Sequence, residues 1–395
     1  MKRVKNCTDA QRALLVCSIA LVIYWGSRFA GLTALPLHND EGLHLSRAIE
    51  VWNGHPFWAI DDGKIINHWF IAPLLPQANP VTAGRAATIL IGALGLAAGC
   101  ALAFRWFGLT ACFLTAVLWL SNPYLFFYER LAFSDAEAGA WIVVAVLAAA
   151  VVRTDRSTVM TGIALAAAAL TKFTAIPFSA AVGLTLLTDQ RVPFSRRAVR
   201  IGIVSVVVIL AFLIPILYLM RRGGGLFDIA LGWIGSSGGA FQPAANLLGN
   251  AARLTDLLTG FGSPICSLLL VAGLIALLWT RKREGWVLAV GVGLPLLSMM
   301  ILGREMLSRH FSAALPLALV AAGCGWGSLL DRLHMRRGLR GGVTLIAWMS
   351  AVAFIPFAQT AYTTPSALPL PQIMRTQYIT EHSGGYGLRE AMRQM

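Results

Sequence analysis

The sequence predicts an all-α integral membrane protein with about 11 transmembrane helices and an amphipathic helix in its first extracytoplasmic loop. Three observations lead to this prediction. Of the 395 residues, 57% are hydrophobic and only 13% are charged, a balance that is rare among soluble domains. The apolar residues fall in long runs, and the basic residues form short clusters between those runs.

Eleven apolar runs qualify as membrane-spanning segments, since a helix needs about 20 mostly apolar residues to cross the hydrocarbon layer and fewer where neighbours shield it. The fifth and sixth runs are short and are compatible with one broken hairpin around "LTKFTAIPF". The first run continues past a typical signal-peptide core, so we interpret it as a retained signal anchor. The runs cover residues 13–34, 83–104, 109–127, 136–152, 158–171, 174–188, 200–220, 261–280, 286–302, 311–330 and 342–360.

The basic residues indicate the orientation. With a cytoplasmic N-terminus, 18 of the 32 Lys and Arg residues lie in inner segments, beside only five acidic residues. Because positive charge is retained inside, we predict a multi-pass protein of the plasma (inner) membrane with an extracytoplasmic C-terminal tail. The long loops then all lie outside, where we expect the chemistry. The net charge of +14 does not form a continuous stripe, so we expect no nucleic-acid partner.

The first outer loop contains "LHNDEGLHLSRAIEVWNG", in which Asp40 and Glu41 follow the first span closely. Two interpretations are open: the acids complement the dipole of a helix that starts here, or one of them faces a cavity as a general base. The spacing predicts a helix lying in the membrane interface. Its apolar face would carry Leu45, Ala48, Ile49 and Trp52, and its polar face Glu41, His44, Arg47 and Glu50.

A divalent metal is a further possibility for this loop. His38, Asp40, Glu41 and His44 are close in sequence, and Glu41 and His44 share a helical face. Their spacing matches no strong zinc motif, and oxygen-rich ligation of magnesium or manganese leaves no readable sequence pattern. No cofactor is otherwise predicted.

Further charges stand at other predicted outer helix ends. In "NPYLFFYERLAFSDAEAGAW", Arg130 has Glu129 or Asp135 as a candidate partner. Lys172 has no acid nearby in sequence, so it requires either a carboxylate on another helix or the phosphate of a lipid carrier, of which we favour the phosphate. Arg309 belongs to a second outer basic cluster. Carboxylates and cations on one membrane face suit a phospholipid-linked sugar donor, whose departing phosphate develops negative charge.

These residues together resemble the glycosyltransferase C (GT-C) superfamily, most closely its family 39 branch of protein mannosyltransferases and aminoarabinose transferases. The resemblance rests on the acidic pair after the first span, "RLAFSD", "LTK", "SRHFSAALP" and the tail "PLPQIMRTQYITEHSGGYGLREAM". Each motif is short, and their order along almost the whole chain carries the resemblance. The motif around Lys64, "GKIINHW", departs from the family because it lacks the prolines that follow the basic residue in many relatives.

The resemblance implies an inverting transfer of a sugar from a polyprenyl-phosphate carrier to an extracytoplasmic glycan, lipid or protein acceptor. It implies Asp40 as catalytic base, with Glu41 as its neighbour and Asp135 as a second acid at the reaction centre. It implies that the donor phosphate and sugar are bound by Lys64, Arg130, Lys172 and Arg309, the last three alternatively serving as organisers of the outer loops.

The predicted domains are a transmembrane module over residues 1–360 and an extracytoplasmic tail over 361–395, where relatives continue into a soluble domain. Two other functions remain open: a flippase or transporter of lipid-linked sugars, and a noncatalytic membrane scaffold. A transporter usually has ionisable residues near the bilayer midplane and two related halves, whereas here the acids lie at predicted helix ends.

Overall fold

A computed structural model describes residues 2–57, 63–221, 242–280, 282–304, 306–333 and 336–386 of the chain. Within these ranges the regular structure is helical. The helices are α1 (Lys2–Phe29), α2 (Asn39–Trp52), α3 (Ile65–Ile71), α4 (Pro80–Phe107), α5 (Leu109–Leu120), α6 (Pro123–Glu129), α7 (Ser134–Val151), α8 (Asp155–Thr171), α9 (Ser179–Leu187), α10 (Phe194–Arg221), α11 (Pro243–Gly260), α12 (Pro264–Leu278), α13 (Arg283–Leu302), α14 (Ser308–Ser312), α15 (Leu315–Arg332), α16 (Arg336–Thr363) and α17 (Gln372–Arg375).

The chain is a multi-pass membrane protein. Among the described residues, six helices are long and apolar enough to cross a membrane by themselves, or seven if α5 and α6 form one bent span. Each of the eleven predicted runs overlaps a helix, but α9 and α12 are short, and α8 has 17 residues. The all-helical membrane fold is therefore confirmed, whereas the count of 11 spans stays a prediction.

The centre of the bundle is formed by α4, α5, α7 and α15. Helices α4 and α15 pack against each other, and each also packs against α5 and α7. Small residues make this approach possible, as in other membrane helix pairs. A Cβ atom at Gly95 of α4 would lie 2.6 Å from the Cβ of Ala140 on α7, and one at Gly139 would lie 2.7 Å from the carbonyl oxygen of Ala313. The four helices consequently hold the segments that follow them in fixed positions.

The break between α5 and α6 positions one of these segments. The two helices meet at 65°, and α6 restarts at Pro123 after an N-cap in which the Asn122 side chain accepts a hydrogen bond of 2.8 Å from the Leu125 amide. Proline suits the first helical position because its missing amide hydrogen has no partner to lose there. The turn from Arg130 to Phe133 then leads directly into α7.

The predicted interfacial helix of the first loop exists as α2, but its buried face was predicted wrongly. Leu45 and Ala48 are buried as expected, whereas Ile49 is 39% and Trp52 55% exposed. Glu41 and His44, assigned to the polar face, point into the protein. The interior here is polar, so hydrophobic periodicity alone misplaces the face of the helix.

The C-terminal tail returns to the bundle. Leu368, Met374 and Tyr378 are buried in the same core cluster as the transmembrane helices. Tyr378 stacks near His38 with ring centroids 4.8 Å apart. The described part of the tail, up to residue 386, therefore covers the start of α2.

Candidate functional site

Asp40 and Arg309 form an ion pair at one end of the bundle. Asp40 lies in the first turn of α2, and Arg309 lies in the short helix α14; a guanidinium nitrogen of Arg309 donates to Oδ2 of Asp40. The two side chains are 30% and 25% exposed. The pair is thus reachable from outside the protein, unlike the other acids of this region.

A second ion pair joins α7 to the end of α8. The Nζ atom of Lys172 lies 2.6 Å from the carboxylate of Asp135, whose side chain is 1% exposed. Lys172 therefore has the first of its two predicted partners, a carboxylate on another helix. Its own side chain is 13% exposed, so one side of the ammonium group remains accessible.

The two ion pairs belong to one electrostatic neighbourhood. His310 follows Arg309, and its pKa is held well below the usual value, first by burial and then by the positive charges of Lys172, Arg309 and Lys64. The pKa of Tyr378 is raised by burial and is also influenced by both Arg309 and Asp135. We call Asp40, Lys64, Asp135, Lys172 and Arg309 the charged cluster.

Lys64 stands at the N-terminus of α3, where burial and the nearby Lys172 lower its pKa to about 7. Two histidines lie beside it: Nδ1 of His44 and Nε2 of His68 are 3.2 Å apart. Burial is the main cause that lowers the pKa of His68 to about 3 and that of His44 well below its usual range. Both imidazoles are therefore neutral near pH 7 and add no positive charge to the cluster.

Glu41 has a different environment from its neighbour Asp40. Arg85 on α4 binds both of its oxygens with hydrogen bonds of 2.8 Å, and the amides of Ala132 and His38 donate to it at 2.8 and 3.0 Å. Burial would raise the pKa of Glu41, but Arg85 and these amides outweigh burial and keep the pKa low. The carboxylate of Glu41 thus links α2 to α4. Its catalytic role stays a prediction.

Arg130, predicted as a ligand of the donor or as an organiser of the outer loops, contacts the end of α1. Its guanidinium donates to the carbonyl oxygens of Arg28, Ala30 and Gly31 at 3.2, 2.6 and 2.7 Å. It is 4% exposed and lies over the rings of Phe126 and Tyr362. Arg130 thereby closes the C-terminal end of α1, where carbonyl groups lack helical partners. These contacts are compatible with the second of its two predicted roles, that of an organiser of the outer loops.

Neither acid proposed as a partner of Arg130 pairs with it. Glu129 binds Arg28 at 3.0 Å and accepts a hydrogen bond of 2.9 Å from the indole of Trp119. Asp135 pairs with Lys172. Proximity in sequence was a poor guide here, because the turn sends successive side chains to different helices.

The metal candidates of the first loop do not converge. Nδ1 of His38 accepts a hydrogen bond of 3.1 Å from the Asp40 amide, which caps α2, and His44 contacts His68. Glu41 is bound by Arg85, and Asp40 by Arg309. In the described part of the chain, no group of three or more His, Cys, Asp or Glu residues could hold a metal ion. The arrangement of His38, Asp40 and His44 as ligands is therefore not supported.

The sequence analysis did not identify several residues that contribute to this region. Arg85 is fully buried within a 28-residue apolar helix, and its charge in that setting is the signal that predicts a functional or paired residue. Ser308, Tyr128 and Tyr378 left no comparable signal. The Tyr128 hydroxyl lies 2.6 Å from Oγ of Ser308 and 3.4 Å from the hydroxyl of Tyr378. These contacts hold α14, and with it Arg309, in place.

No family model matches the chain, and no curated protein matches it. Several solved structures do match the chain. The crystal structure of ArnT from Cupriavidus metallidurans bound to undecaprenyl phosphate aligns with a TM-score of 0.65, covering 90% of this chain and 78% of that chain at 15% identity. The apo structure of the same protein gives a TM-score of 0.63 at 16% identity. This chain therefore has the same membrane fold as ArnT.

A more distant structure carries the same architecture. The oligosaccharyltransferase of Archaeoglobus fulgidus, in complex with Zn and sulfate, aligns with a TM-score of 0.55 at 16% identity. The alignment covers 90% of this chain but 54% of that chain. At these identities the likeness establishes the fold of the bundle alone, and the chemistry has to be argued from the charged cluster.

Proposed function

We propose that this protein transfers a sugar, with inversion, from a polyprenyl-phosphate carrier to an extracytoplasmic acceptor. The observation that carries the proposal is the Asp40–Arg309 ion pair. The pair is partly exposed at one end of a membrane bundle, and its Arg309 shares an electrostatic neighbour, His310, with Lys172 and Lys64. Support also comes from the shared fold, since the similar ArnT structure holds undecaprenyl phosphate.

The cations of the cluster are assigned to the donor. A polyprenyl phosphate lies with its chain in the bilayer and its phosphate at the membrane surface, where Lys64, Lys172 and Arg309 offer positive charge. The phosphate gains negative charge as its bond to the sugar breaks, so preorganised cations lower the barrier at that step. Lys172 is kept in place by Asp135, which makes Asp135 a positioning residue in this mechanism.

Asp40 is assigned the role of general base. The acceptor oxygen attacks the anomeric carbon on the face opposite the phosphate, its proton passes to Asp40, and the polyprenyl phosphate leaves with the bonding electron pair. Before the donor binds, Arg309 occupies the carboxylate of Asp40. The phosphate competes for this guanidinium, and a shift of Arg309 towards the phosphate frees the base only when donor is present.

Glu41 and Arg130 are assigned to the scaffold of the site. Glu41 ties α2 to α4 through Arg85, and Arg130 closes the end of α1. The two groups hold the segments on either side of Asp40.

The experiment compares Asp40→Asn with Glu50→Gln, a matched amide substitution later on the same helix. Membranes containing each variant receive polyprenyl-phosphate mannose, glucose or aminoarabinose, and the product is identified by its mass. We expect Asp40→Asn to reduce transfer about 100-fold or more at normal protein abundance, because it removes the base. Glu50→Gln should retain transfer.

Two results would overturn the proposal. One is unchanged transfer in Asp40→Asn at equal abundance. The other is the absence of transfer by the unaltered chain from all three donors, which would favour a transporter or a scaffold.

A further inference from the structure

A cavity of about 530 Å³ opens beside the charged cluster, between the end of α11 and the C-terminal tail. Its volume falls in the range of about 300–1,000 Å³ that is typical of small-molecule sites. Arg253, Asp256 and Thr259 line it from α11, and Pro371 and Gln372 line it from the tail. Asp256, Thr259 and Gln372 are exposed, so the cavity is open to a ligand from outside.

Consecutive residues of α14 line this cavity and contact Asp40. Ser308 forms part of the cavity wall, and the next residue, Arg309, contacts Asp40. Two tyrosines fix the position of Ser308. Its carbonyl oxygen accepts a hydrogen bond from the Tyr124 hydroxyl, and its Oγ lies 2.6 Å from the Tyr128 hydroxyl. The short helix α14 thus links the cavity, through Ser308, to the ion pair of Asp40, through Arg309.

The chemistry of the lining indicates the class of ligand. Arg253 and Asp256 supply one charge of each sign, and Thr259 and Gln372 supply neutral donors and acceptors. Leu257, Met306 and Pro371 add apolar surface. Among the described residues, the lining carries no excess of positive charge, unlike the group of Lys64, Lys172 and Arg309. A neutral ligand rich in hydroxyl groups fits such a lining better than a phosphate does.

We propose that this cavity binds the acceptor and that the acceptor is a neutral saccharide. The assignment as acceptor site rests on the function proposed above. The saccharide lies against α11 and the tail and presents one hydroxyl past α14 to Asp40. That oxygen forms the bond to the anomeric carbon as the bond to the donor phosphate breaks, and its proton passes to Asp40.

The test measures saccharide binding apart from transfer. The full chain is placed in phosphatidylcholine nanodiscs, because glycoside detergents would compete, and is applied to immobilised neutral, acidic and amino saccharides. Asp256→Ala and Gln372→Ala remove polar groups from the cavity. Thr255→Ala alters an exposed residue of α11 outside the lining and serves as the matched control. Thermal unfolding shows whether each variant is folded.

We expect at least one neutral saccharide to bind. Its affinity should fall about fivefold or more in Asp256→Ala and Gln372→Ala, the loss of one or two hydrogen bonds, and stay unchanged in Thr255→Ala. Binding of acidic saccharides alone, no binding, or equal affinity in all variants would overturn the proposal.

The outcomes also separate this proposal from the proposed function. If cavity variants weaken binding while Asp40→Asn leaves transfer intact, the cavity is a saccharide site but Asp40 is not the base it serves. If Asp40→Asn loses transfer while cavity variants change neither binding nor transfer, the transferase stands and the acceptor site lies elsewhere.

Discussion

Arg309 on α14 contacts the carboxylate of Asp40 on α2, 269 positions away in the sequence. The two groups have separate tasks in the proposed mechanism, one towards the donor phosphate and the other towards the acceptor proton. Their substitution should therefore affect the kinetic constants differently.

We expect Arg309→Gln to raise the KM for the polyprenyl-phosphate donor and also to lower kcat, since it removes a phosphate contact that strengthens as the phosphate departs. Asp40→Asn should lower kcat, since its contribution arises in the transition state. Steady-state transfer rates at varied donor concentration distinguish the two. A fall in kcat alone for Arg309→Gln would assign Arg309 to the chemical step and not to phosphate binding.

Glu41→Ala should destabilise the protein by about 3–5 kcal/mol, because it leaves the guanidinium of Arg85 buried without its carboxylate. Thermal unfolding of the purified protein measures this effect. Glu50→Ala, on the same helix, is the control and should change stability by about 0.5 kcal/mol or less. Normal stability of Glu41→Ala combined with lost transfer would contradict the structural role and restore the catalytic one.

Donor binding should weaken as the pH rises through about 7. The lowered pKa of Lys64, about 7, means that its ammonium group is charged below that pH and neutral above it. A phosphodiester donor stays singly negative over this range, so above pH 7 its binding to Lys64 requires uptake of a proton. We expect affinity to fall by up to tenfold per pH unit above 7.

Lys64→Arg provides the matched control, because arginine keeps its charge throughout this range. Its donor affinity should be nearly constant between pH 6 and 9, as measured by titration with the lipid in nanodiscs. The same pH dependence in Lys64→Arg would show that another group is responsible.

Cysteine labelling tests the orientation of the bundle. In a chain whose native cysteines are replaced by alanine, a cysteine at Glu381 should react with an impermeant maleimide added outside intact cells. A cysteine at Arg196 should react only after the cells are opened. Both positions are accessible, since Glu381 is exposed and the Arg196 side chain is 47% exposed. The reverse pattern would contradict the predicted orientation.

Long-range pairing limited what the sequence could predict about the site. The sequence indicated Asp40 and Lys172 because a charged side chain beside an apolar run costs free energy in a membrane. This cost can be judged from the neighbouring residues alone. The partner of each was not visible. Glu41 looked equivalent to Asp40, but only the fold brings Arg85 against it, 44 positions later. Arg130 had two predicted roles, donor ligand and loop organiser, and the sequence did not show its hydrogen bonds to the end of α1.

The sequence by itself determined that the chain is a helical membrane protein and that charge collects at the ends of its helices, because burial of apolar runs and exclusion of charge from lipid act on each segment separately. Only the tertiary structure decided which charges neutralise one another. Ion pairing depends on distances of a few ångströms between helices far apart in the chain. That is why Glu41 and Asp40, adjacent in sequence, differ so much: one is enclosed by Arg85 and the other is partly open beside Arg309.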